Sequence, residues 1–317
     1  MTGIFEPGTI NGMTASNRLV RSATWEGLAD DAGRVDERLL RLYAELARGG
    51  VGLIISSYMY VRRDGRQKET QLGAHEDAMI PGLTRLADVV HGTGGALVAQ
   101  IVHCGGQSRR DAMDGLQPLA PSAVESPGYP ERPRALTGPE VEQLVRDFAD
   151  AAGRVQEAGF DGVQIHGAHG YLVSEFLSPS RNRREDRWGG DVQGRSRFCL
   201  EVYRAIRARV GPRFPVMIKL NAHDFLEGST TEADSTYLAA ALAAEGLDAV
   251  EVSGGTPGSG RLGAARPGID RPEAEAYFLD QARAIRRATP DLPLILVGGI
   301  SSMEVIESLL SAGDADW

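Results

Sequence analysis

The feature that most constrains the fold is a regular alternation between short apolar runs and longer segments with helical periodicity. Short runs that are apolar almost throughout are typical of strands buried on both faces. They are Arg18–Ala23, Gly52–Ser57, Ala96–Val102, Gly162–His166, Pro215–Leu220, Ala249–Ser253 and Leu294–Val297. The helical segments are Glu37–Arg48, Met79–His91, Pro139–Ala158, Arg195–Val210, Glu232–Glu245, Glu273–Ala288 and Met303–Ser311. This succession of strand–helix units predicts parallel strands joined by right-handed crossovers.

Two observations favour an α/β TIM (β/α)8 barrel over a doubly wound sheet. No GxGxxG motif follows the first strand, which removes the usual signature of a dinucleotide-binding fold. Several loops after strands are long, and such loops build the active site of a TIM barrel. These loops are Ser57–Ala78, His103–Leu136, Gly167–Gly194 and Gly254–Arg271. No linker interrupts the pattern, so we expect residues 1–317 to form a single domain.

The last residues depart from the complete pattern. After the seventh helical segment the sequence continues as Gly313-Asp-Ala-Asp-Trp317, which provides at most two or three residues of an eighth strand. We therefore expect a barrel that is truncated before its eighth strand–helix unit is complete. An open barrel exposes a sheet edge, and that edge could also pair with a partner.

Charge and cysteine content narrow the classes of partner. The net charge of -9 opposes binding to nucleic acid or to anionic membranes, since both need a basic face. No apolar run approaches the roughly 20 residues of a membrane span, and the first residues lack the pattern of a signal peptide. Cys104 and Cys199 fit no zinc, iron–sulfur or disulfide framework. We expect a cytoplasmic protein with a small-molecule substrate, and the sequence is compatible with a homo-oligomer.

The loop after the fourth strand carries the strongest chemical signal. Its first residues are His166-Gly-Ala-His169-Gly-Tyr171. Two imidazoles three residues apart can project to one side of a turn and donate two N–H bonds to one substrate oxygen. The phenol of Tyr171 can act as a proton donor. The alternatives are purely structural histidines or a metal site, for which Asp186 is the best further ligand. The position at the barrel mouth favours substrate anchors, and we predict no metal.

With these motifs the sequence resembles the old yellow enzyme family of FMN-dependent oxidoreductases. It is most similar to the branch of NADH:flavin oxidoreductases that is related to 2,4-dienoyl-CoA reductases. The resemblance extends over nearly the whole chain and rests on Phe5-Glu-Pro, Asn17-Arg-Leu-Val, the loop from His166 to Gly190, and Val297-Gly-Gly-Ile300. It implies an FMN-binding TIM barrel in which His166, His169 and Tyr171 are the catalytic residues.

The resemblance also implies which residues bind the flavin. Gln100 would hydrogen-bond the pyrimidine edge, because an amide offers both a donor and an acceptor. Lys219 would place a cation near flavin N1 and O2, although by residue type alone a strand lysine is also typical of a Schiff-base aldolase. Glycines after the seventh strand would let the backbone approach the phosphate beside a helix N-terminus. The full implied set is Ala23, Thr24, Ser57, Gln100, Lys219, Ser253, Gly298 and Gly299.

The sequence departs from the family pattern at three places. Trp25 stands where relatives often have Cys or Thr, and we expect its side chain to line the substrate pocket or to pack against the loop. Gly106 stands where the family often has Arg. The arginine that follows the eighth strand in the family, and that holds the phosphate, is not in this sequence.

Together these features predict an ene-reductase that works by a ping-pong mechanism. NADH or NADPH would reduce FMN, and an alkene conjugated to a carbonyl would then accept hydride from flavin N5. One alternative is an amine dehydrogenase or demethylase, although the chain lacks the Cys near Trp25 and the Cys-rich segment of such enzymes. Another is a catalytically incomplete fragment that does not retain FMN.

Overall fold

Parallel strands form the centre of the molecule, as the alternation in the sequence predicts. The computed structural model describes residues 3–317. Its strands are β1 (Gly8–Ile10), β2 (Met13–Ala15), β3 (Val20–Arg21), β4 (Leu53–Ile55), β5 (Met59–Tyr60), β6 (Ala96–Val102), β7 (Leu119–Ala120), β8 (Arg134–Ala135), β9 (Gly162–Gly167), β10 (Val216–Asn221), β11 (Ala249–Ser253) and β12 (Leu294–Leu296). Its helices are α1 (Glu37–Arg48), α2 (Ile80–His91), α3 (Gly138–Glu157), α4 (Leu172–Leu177), α5 (Val192–Val210), α6 (Glu232–Ala244), α7 (Leu279–Ala288) and α8 (Met303–Ala312).

The main sheet curves into a nearly closed barrel. Its strand order is β12-β11-β10-β9-β6-β4-β3, with β5 pairing beside the end of β6. Between β12 and β3, residues 315–317 lie along β12. The Asp316 amide donates to the Leu294 carbonyl at 2.8 Å, and Leu296 donates to the Trp317 carbonyl at 3.2 Å. Arg18 Nη1, just before β3, donates to the Asp316 carbonyl at 2.9 Å. These residues therefore occupy the position predicted for the start of an eighth strand.

The barrel interior has an apolar floor. Because side chains alternate along a strand, every second residue points inward and the others pack against the helices. Ile10 and Met13 of the β1–β2 hairpin cover this floor from below. The inward residues near the strand starts are all apolar: Leu53, Ile55, Ala96, Val98, Met217, Ala249 and Ile295. Polar inward residues follow only toward the carboxyl ends, so the floor separates the functional end from solvent below.

Helix ends follow the local signals in the sequence. Thr137 and Glu140 form a reciprocal capping box at the start of α3. Gly313 has a φ of 71° and ends α8 in the left-handed conformation that favours glycine. Among residues 3–317, no helix is both long and apolar enough to cross a membrane.

Two helices differ from the sequence prediction. The segment predicted as Glu273–Ala288 starts in a short 3-10 turn, Pro272–Ala274, and becomes α-helical only at Leu279. Ala276 has a φ of 51°, which interrupts any regular helix, and Glu275 is engaged with the start of α8. Helix α4 was not predicted, because its six residues are all buried and show no amphipathic period.

The packing of α3 on α5 gives a test of the core. Phe148 is fully buried, and its ring lies 6.3 Å from that of Phe198. We expect Phe148→Ala to lower the free energy of unfolding by about 3–5 kcal/mol, because it leaves a cavity. Phe5→Ala is the matched control, since Phe5 is 68% exposed and should change stability by less than about 0.5 kcal/mol. Equal losses in denaturant titrations of the two variants would contradict the assigned core.

Candidate active site

The predicted catalytic residues converge at the carboxyl ends of the barrel strands. The His166 and His169 rings lie edge to face, with centroids 5.1 Å apart. The Tyr171 ring centroid lies 4.8 Å from that of His166. Tyr58, which follows β4, packs on Tyr171 at 5.6 Å. The structure thus places two imidazoles and two phenols in one cluster at the barrel mouth.

A tight turn after β9 aims these side chains. His169 has a φ of 61°, which is unusual for a residue other than glycine, and Gly170 follows with a φ of 79°. The His169 amide donates to Asn221 Oδ1 at 3.1 Å, and Gln107 Nε2 donates to the His169 carbonyl at 2.8 Å. A Cβ on Gly170 would lie 2.5 Å from Gln107 Nε2, so the turn requires glycine there. Neighbouring elements therefore hold His169 in a strained conformation.

Both imidazoles are held in the neutral state. Burial lowers the pKa of His166 well below its ordinary value, and the proximity of His169 and of the Lys219 ammonium lowers it further. Burial and the Lys219 charge lower the pKa of His169 to about 3. The His166 Nδ1 atom accepts the Ala168 amide at 3.3 Å, which assigns its proton to Nε2. Each ring can therefore donate one N–H bond near neutral pH.

Tyr171 belongs to a network of phenols around Gln67. Tyr58 and Tyr171 donate to Gln67 Oε1 at 2.8 Å and 3.2 Å. Gln67 Nε2 in turn donates to the Tyr129 hydroxyl at 2.5 Å. Burial raises the pKa of Tyr171 well above its ordinary value, so the phenol keeps its proton. Sequence reasoning missed Gln67, because it lies in a long loop and belongs to no motif.

The remainder of the long loop motif braces the site. Asn182 Nδ2 donates to the carbonyls of Phe176 and Trp188, both at 2.7 Å. Asp186, the further ligand of the metal alternative, instead pairs with Arg184 at 2.5 Å. The Asp186 carboxylate also accepts the Trp188 amide at 3.1 Å. These residues fix the path of the loop that carries the histidines.

A second polar layer lies beneath the histidines. The side chains of Gln100 and Gln164 are hydrogen-bonded at 2.7 Å, and Gln164 Nε2 donates to Glu251 Oε2 at 2.7 Å. Glu251 Oε1 lies 3.0 Å from Lys219 Nζ, which also donates to Ser22 Oγ at 2.6 Å. Sequence reasoning identified Gln100 and Lys219 but missed Gln164 and Glu251. Both residues could have been found from the sequence, because each is a polar residue at an inward position of an otherwise apolar strand.

The remaining residues of the implied flavin set lie around this layer. Ala23 and Thr24 follow β3, and Thr24 is exposed. The Ser57 amide donates to the Tyr43 hydroxyl at 2.9 Å. Ser253 Oγ lies 2.8 Å from His169 Nε2, so Ser253 contacts the histidine–tyrosine cluster directly.

The glycines after β12 form a separate part of the site. Gly298 and Gly299 have φ values of 136° and 69°, and a Cβ on Gly298 would lie 3.0 Å from the Tyr277 amide nitrogen. The backbone there can approach a ligand only because both residues are glycine. The amides of Ser301 and Ser302 at the start of α8 are already occupied, because they donate to Glu275 Oε2 at 2.8 Å and 3.1 Å. The N-terminal amides of α8, which the resemblance assigns to a phosphate, therefore bind the Glu275 carboxylate of the protein itself.

Trp25 lies at the rim of the barrel mouth. Its side chain is 36% exposed, and the Lys68 ammonium sits 3.9 Å above the ring. Lys68 also lines a cavity of about 380 Å³ at the mouth. The other lining residues are Tyr58, Gln67, Gln107, Tyr129, His169, Tyr171, Gly255, Thr256, Pro257, Gly260, Gly263 and Ala264. The cavity brings the histidine–tyrosine cluster and the rim cation together.

The residues present fit an FMN ring at this mouth. Gln100 Oε1 is buried and has no hydrogen-bond partner among the residues described. Buried polar atoms normally have a partner, so this acceptor points to a ligand with a matching donor. The N3–H group of the flavin pyrimidine ring is such a donor. Lys219 lies in the same polar layer, which suits the neighbouring carbonyl edge.

Comparison with known proteins places the chain in a family. The family model described as NADH:flavin oxidoreductase / NADH oxidase family matches residues 3–317. NADH oxidase from Thermoanaerobacter brockii is 35% identical over 99% of the chain, which spans about half (48%) of that protein. NADPH dehydrogenase from Geobacillus sp. is 35% identical, with 99% of the chain and 88% of that protein covered.

Solved structures give the same result. The structure of the old yellow enzyme homologue from Zymomonas mobilis superposes with a TM-score of 0.85 at 28% identity, covering 99% of this chain and 87% of that one. This similarity confirms the TIM-barrel fold and the resemblance that the sequence motifs indicate. The chain therefore belongs to the NADH:flavin oxidoreductase / NADH oxidase family, whose members are FMN-dependent oxidoreductases that use NADH or NADPH.

Proposed function

We propose that this chain is an ene-reductase that uses FMN, takes electrons from NADH or NADPH, and reduces an alkene conjugated to a carbonyl. The observation that carries this proposal is the cluster of His166, His169 and Tyr171 at the barrel mouth. It combines two neutral N–H donors with a protonated phenol. This set suits a substrate that gains negative charge on an oxygen and a proton on a neighbouring carbon.

The residues that would hold FMN are those that the family resemblance implies. Gln100 and Lys219 would bind the pyrimidine edge, with Ala23, Thr24, Ser57 and Ser253 around the ring. Gly298 and Gly299 would accommodate the phosphate beside their backbone, since the amides at the start of α8 donate to Glu275. When bound, FMN supplies hydride transfer between the nicotinamide donor and the acceptor.

The side chains of the protein polarise the acceptor. His166 would donate from Nε2 to the carbonyl oxygen. When Ser253 Oγ donates to His169 Nε2, the proton of that ring lies on Nδ1 and can be donated to the same oxygen. Tyr171 would deliver its proton to the α-carbon. Preorganised donors of this kind lower a reaction barrier by about 3–4 kcal/mol each when they face a developing oxyanion.

The first test is retention of the cofactor. We expect the purified chain, incubated with FMN and then desalted, to keep the visible absorption bands of flavin, because Gln100 would offer the ring a buried acceptor and Gly298 and Gly299 would leave room for the phosphate. The measurement is the absorbance ratio of flavin to protein. A colourless protein after desalting would favour the alternative of a catalytically incomplete chain.

The second test removes the two donors. We expect His166→Ala/His169→Ala to reduce turnover of 2-cyclohexenone by about 100-fold or more, because the carbonyl loses both N–H bonds. Photoreduction of bound FMN should be unchanged, since it does not use these donors. His91→Ala is the matched control, because His91 lies on α2 and contacts Asp161 at the surface. Full enone turnover in the double variant would exclude the proposed mechanism.

The charge of the cavity lining indicates the class of acceptor. Within the part of the chain that the structure describes, Lys68 is the one charged side chain that lines the mouth cavity. Stacking on Trp25 holds its ammonium at the rim. We therefore propose an acceptor that carries a carboxylate beyond the enone.

This proposal gives a prediction about substrate preference. For an enone carboxylate and its methyl ester, we expect Lys68→Gln to lower the ratio of the two kcat/KM values about two- to fivefold, because one exposed ion pair is lost. Lys68→Arg should preserve the ratio. The ratio of the KM values for NADPH and NADH, measured in the same variants, shows whether Lys68 binds the 2′-phosphate of NADPH instead. A ratio that does not change would refute the anionic acceptor and leave enone reduction itself untouched.

A further inference from the structure

A carboxylate that the family resemblance does not imply lies in the layer beneath the active site. Glu251 is on β11, next to Lys219 on β10 in the parallel register. Glu251 is fully buried, and Lys219 is 4% exposed. The Lys219 Nζ atom lies 3.0 Å from Glu251 Oε1. The cation expected near the flavin is therefore one half of a buried ion pair.

Glu251 is held from three sides. Oε1 accepts from Ser22 Oγ at 2.5 Å and faces Lys219, and Oε2 accepts from Gln164 at 2.7 Å. Ser22 also accepts from Lys219, so the serine hydroxyl bridges the two charges. A buried ion pair is stable only when further hydrogen bonds satisfy both charges, and this pair meets that condition.

The ion pair is connected to the residue that would contact the flavin. Gln164 donates to Glu251 and accepts from Gln100, whose Oε1 is the buried acceptor without a partner. Below the layer lies the apolar floor, which includes Met217 and Ala249. Charges interact over longer distances in an interior that contains little water. The net charge of the polar layer would therefore affect a flavin bound above it.

We infer that Glu251 is a positioning residue that neutralises Lys219 and fixes its ammonium, so that the bound flavin meets an ion pair in place of a lone cation. The inference rests on the proposed binding of FMN in this barrel. A lone cation near N1 and O2 favours the anionic reduced flavin and raises its reduction potential. The carboxylate offsets much of that effect, so this chain holds a flavin of lower potential than Lys219 alone would produce.

The test measures the flavin itself and needs no substrate. Sulfite adds through its sulfur lone pair to flavin N5, and the displaced electron pair places negative charge at N1 and O2. Sulfite affinity therefore reports the local charge. We expect Glu251→Gln to lower the Kd for sulfite at least tenfold and to shift the flavin midpoint potential upward. Glu142→Gln is the control for overall charge, because Glu142 lies on the surface beside Arg187.

The double variant Glu251→Gln/Lys219→Gln separates charge from packing. It keeps the side-chain sizes similar and restores a neutral layer. Its sulfite Kd should therefore return to within about threefold of the wild-type value, and its flavin midpoint potential should return close to that of the wild type. Equal sulfite affinity in Glu251→Gln and wild type would overturn the inference. So would loss of FMN from Glu251→Gln, in which Lys219 is intact, because Glu251 would then be needed to hold the cofactor and would not act by setting the charge that it meets. Failure of the wild-type chain to hold FMN would instead refute the proposed function.

Discussion

Side chains on the parallel strands alternate between the barrel interior and the helices, and the interior of a barrel must be filled. In this chain the strand starts supply an apolar floor and the strand ends supply polar groups. The floor excludes water from below. The buried pair of Lys219 and Glu251 is stable above it only because Ser22 and Gln164 satisfy the remaining polar atoms. The geometry of the mouth depends on this layered interior.

The histidine–tyrosine cluster depends on contacts between strands that are distant in sequence. His169 occupies a left-handed conformation because Asn221 and Gln107 hydrogen-bond its backbone, while Ser253 contacts its ring. Burial then keeps both imidazoles neutral, and it keeps the Tyr171 phenol protonated. Burial makes these polar groups costly to place, and it also gives them the protonation states that the proposed polarisation and proton donation would require.

Local signals predicted most elements to within a few residues. The bounds of α1, β6 and β11 agree with the predicted segments, because periodicity and caps are properties of the nearby sequence. The prediction was wrong at the start of α7. Glu275 lies before the helix, because its carboxylate accepts hydrogen bonds from the amides of Ser301 and Ser302. It also missed α4, whose complete burial removes the amphipathic pattern. At α7 a contact from elsewhere in the fold outweighed local preference, whereas at α4 the sequence carried no helical signal to read.

The sequence by itself determined the parallel α/β barrel, the family, and the histidine–tyrosine motif, because period-two and period-3.6 patterns and a specific loop motif are written in neighbouring residues. Only the tertiary structure decided which polar residues meet. Glu251 and Lys219 are on different strands, as are Gln100 and Gln164, and Gln67 reaches Tyr171 from another loop. Pairing across strands depends on register and on the closure of the sheet, and neither is encoded within a single segment. The charge that a bound flavin would meet is therefore a property of the folded barrel.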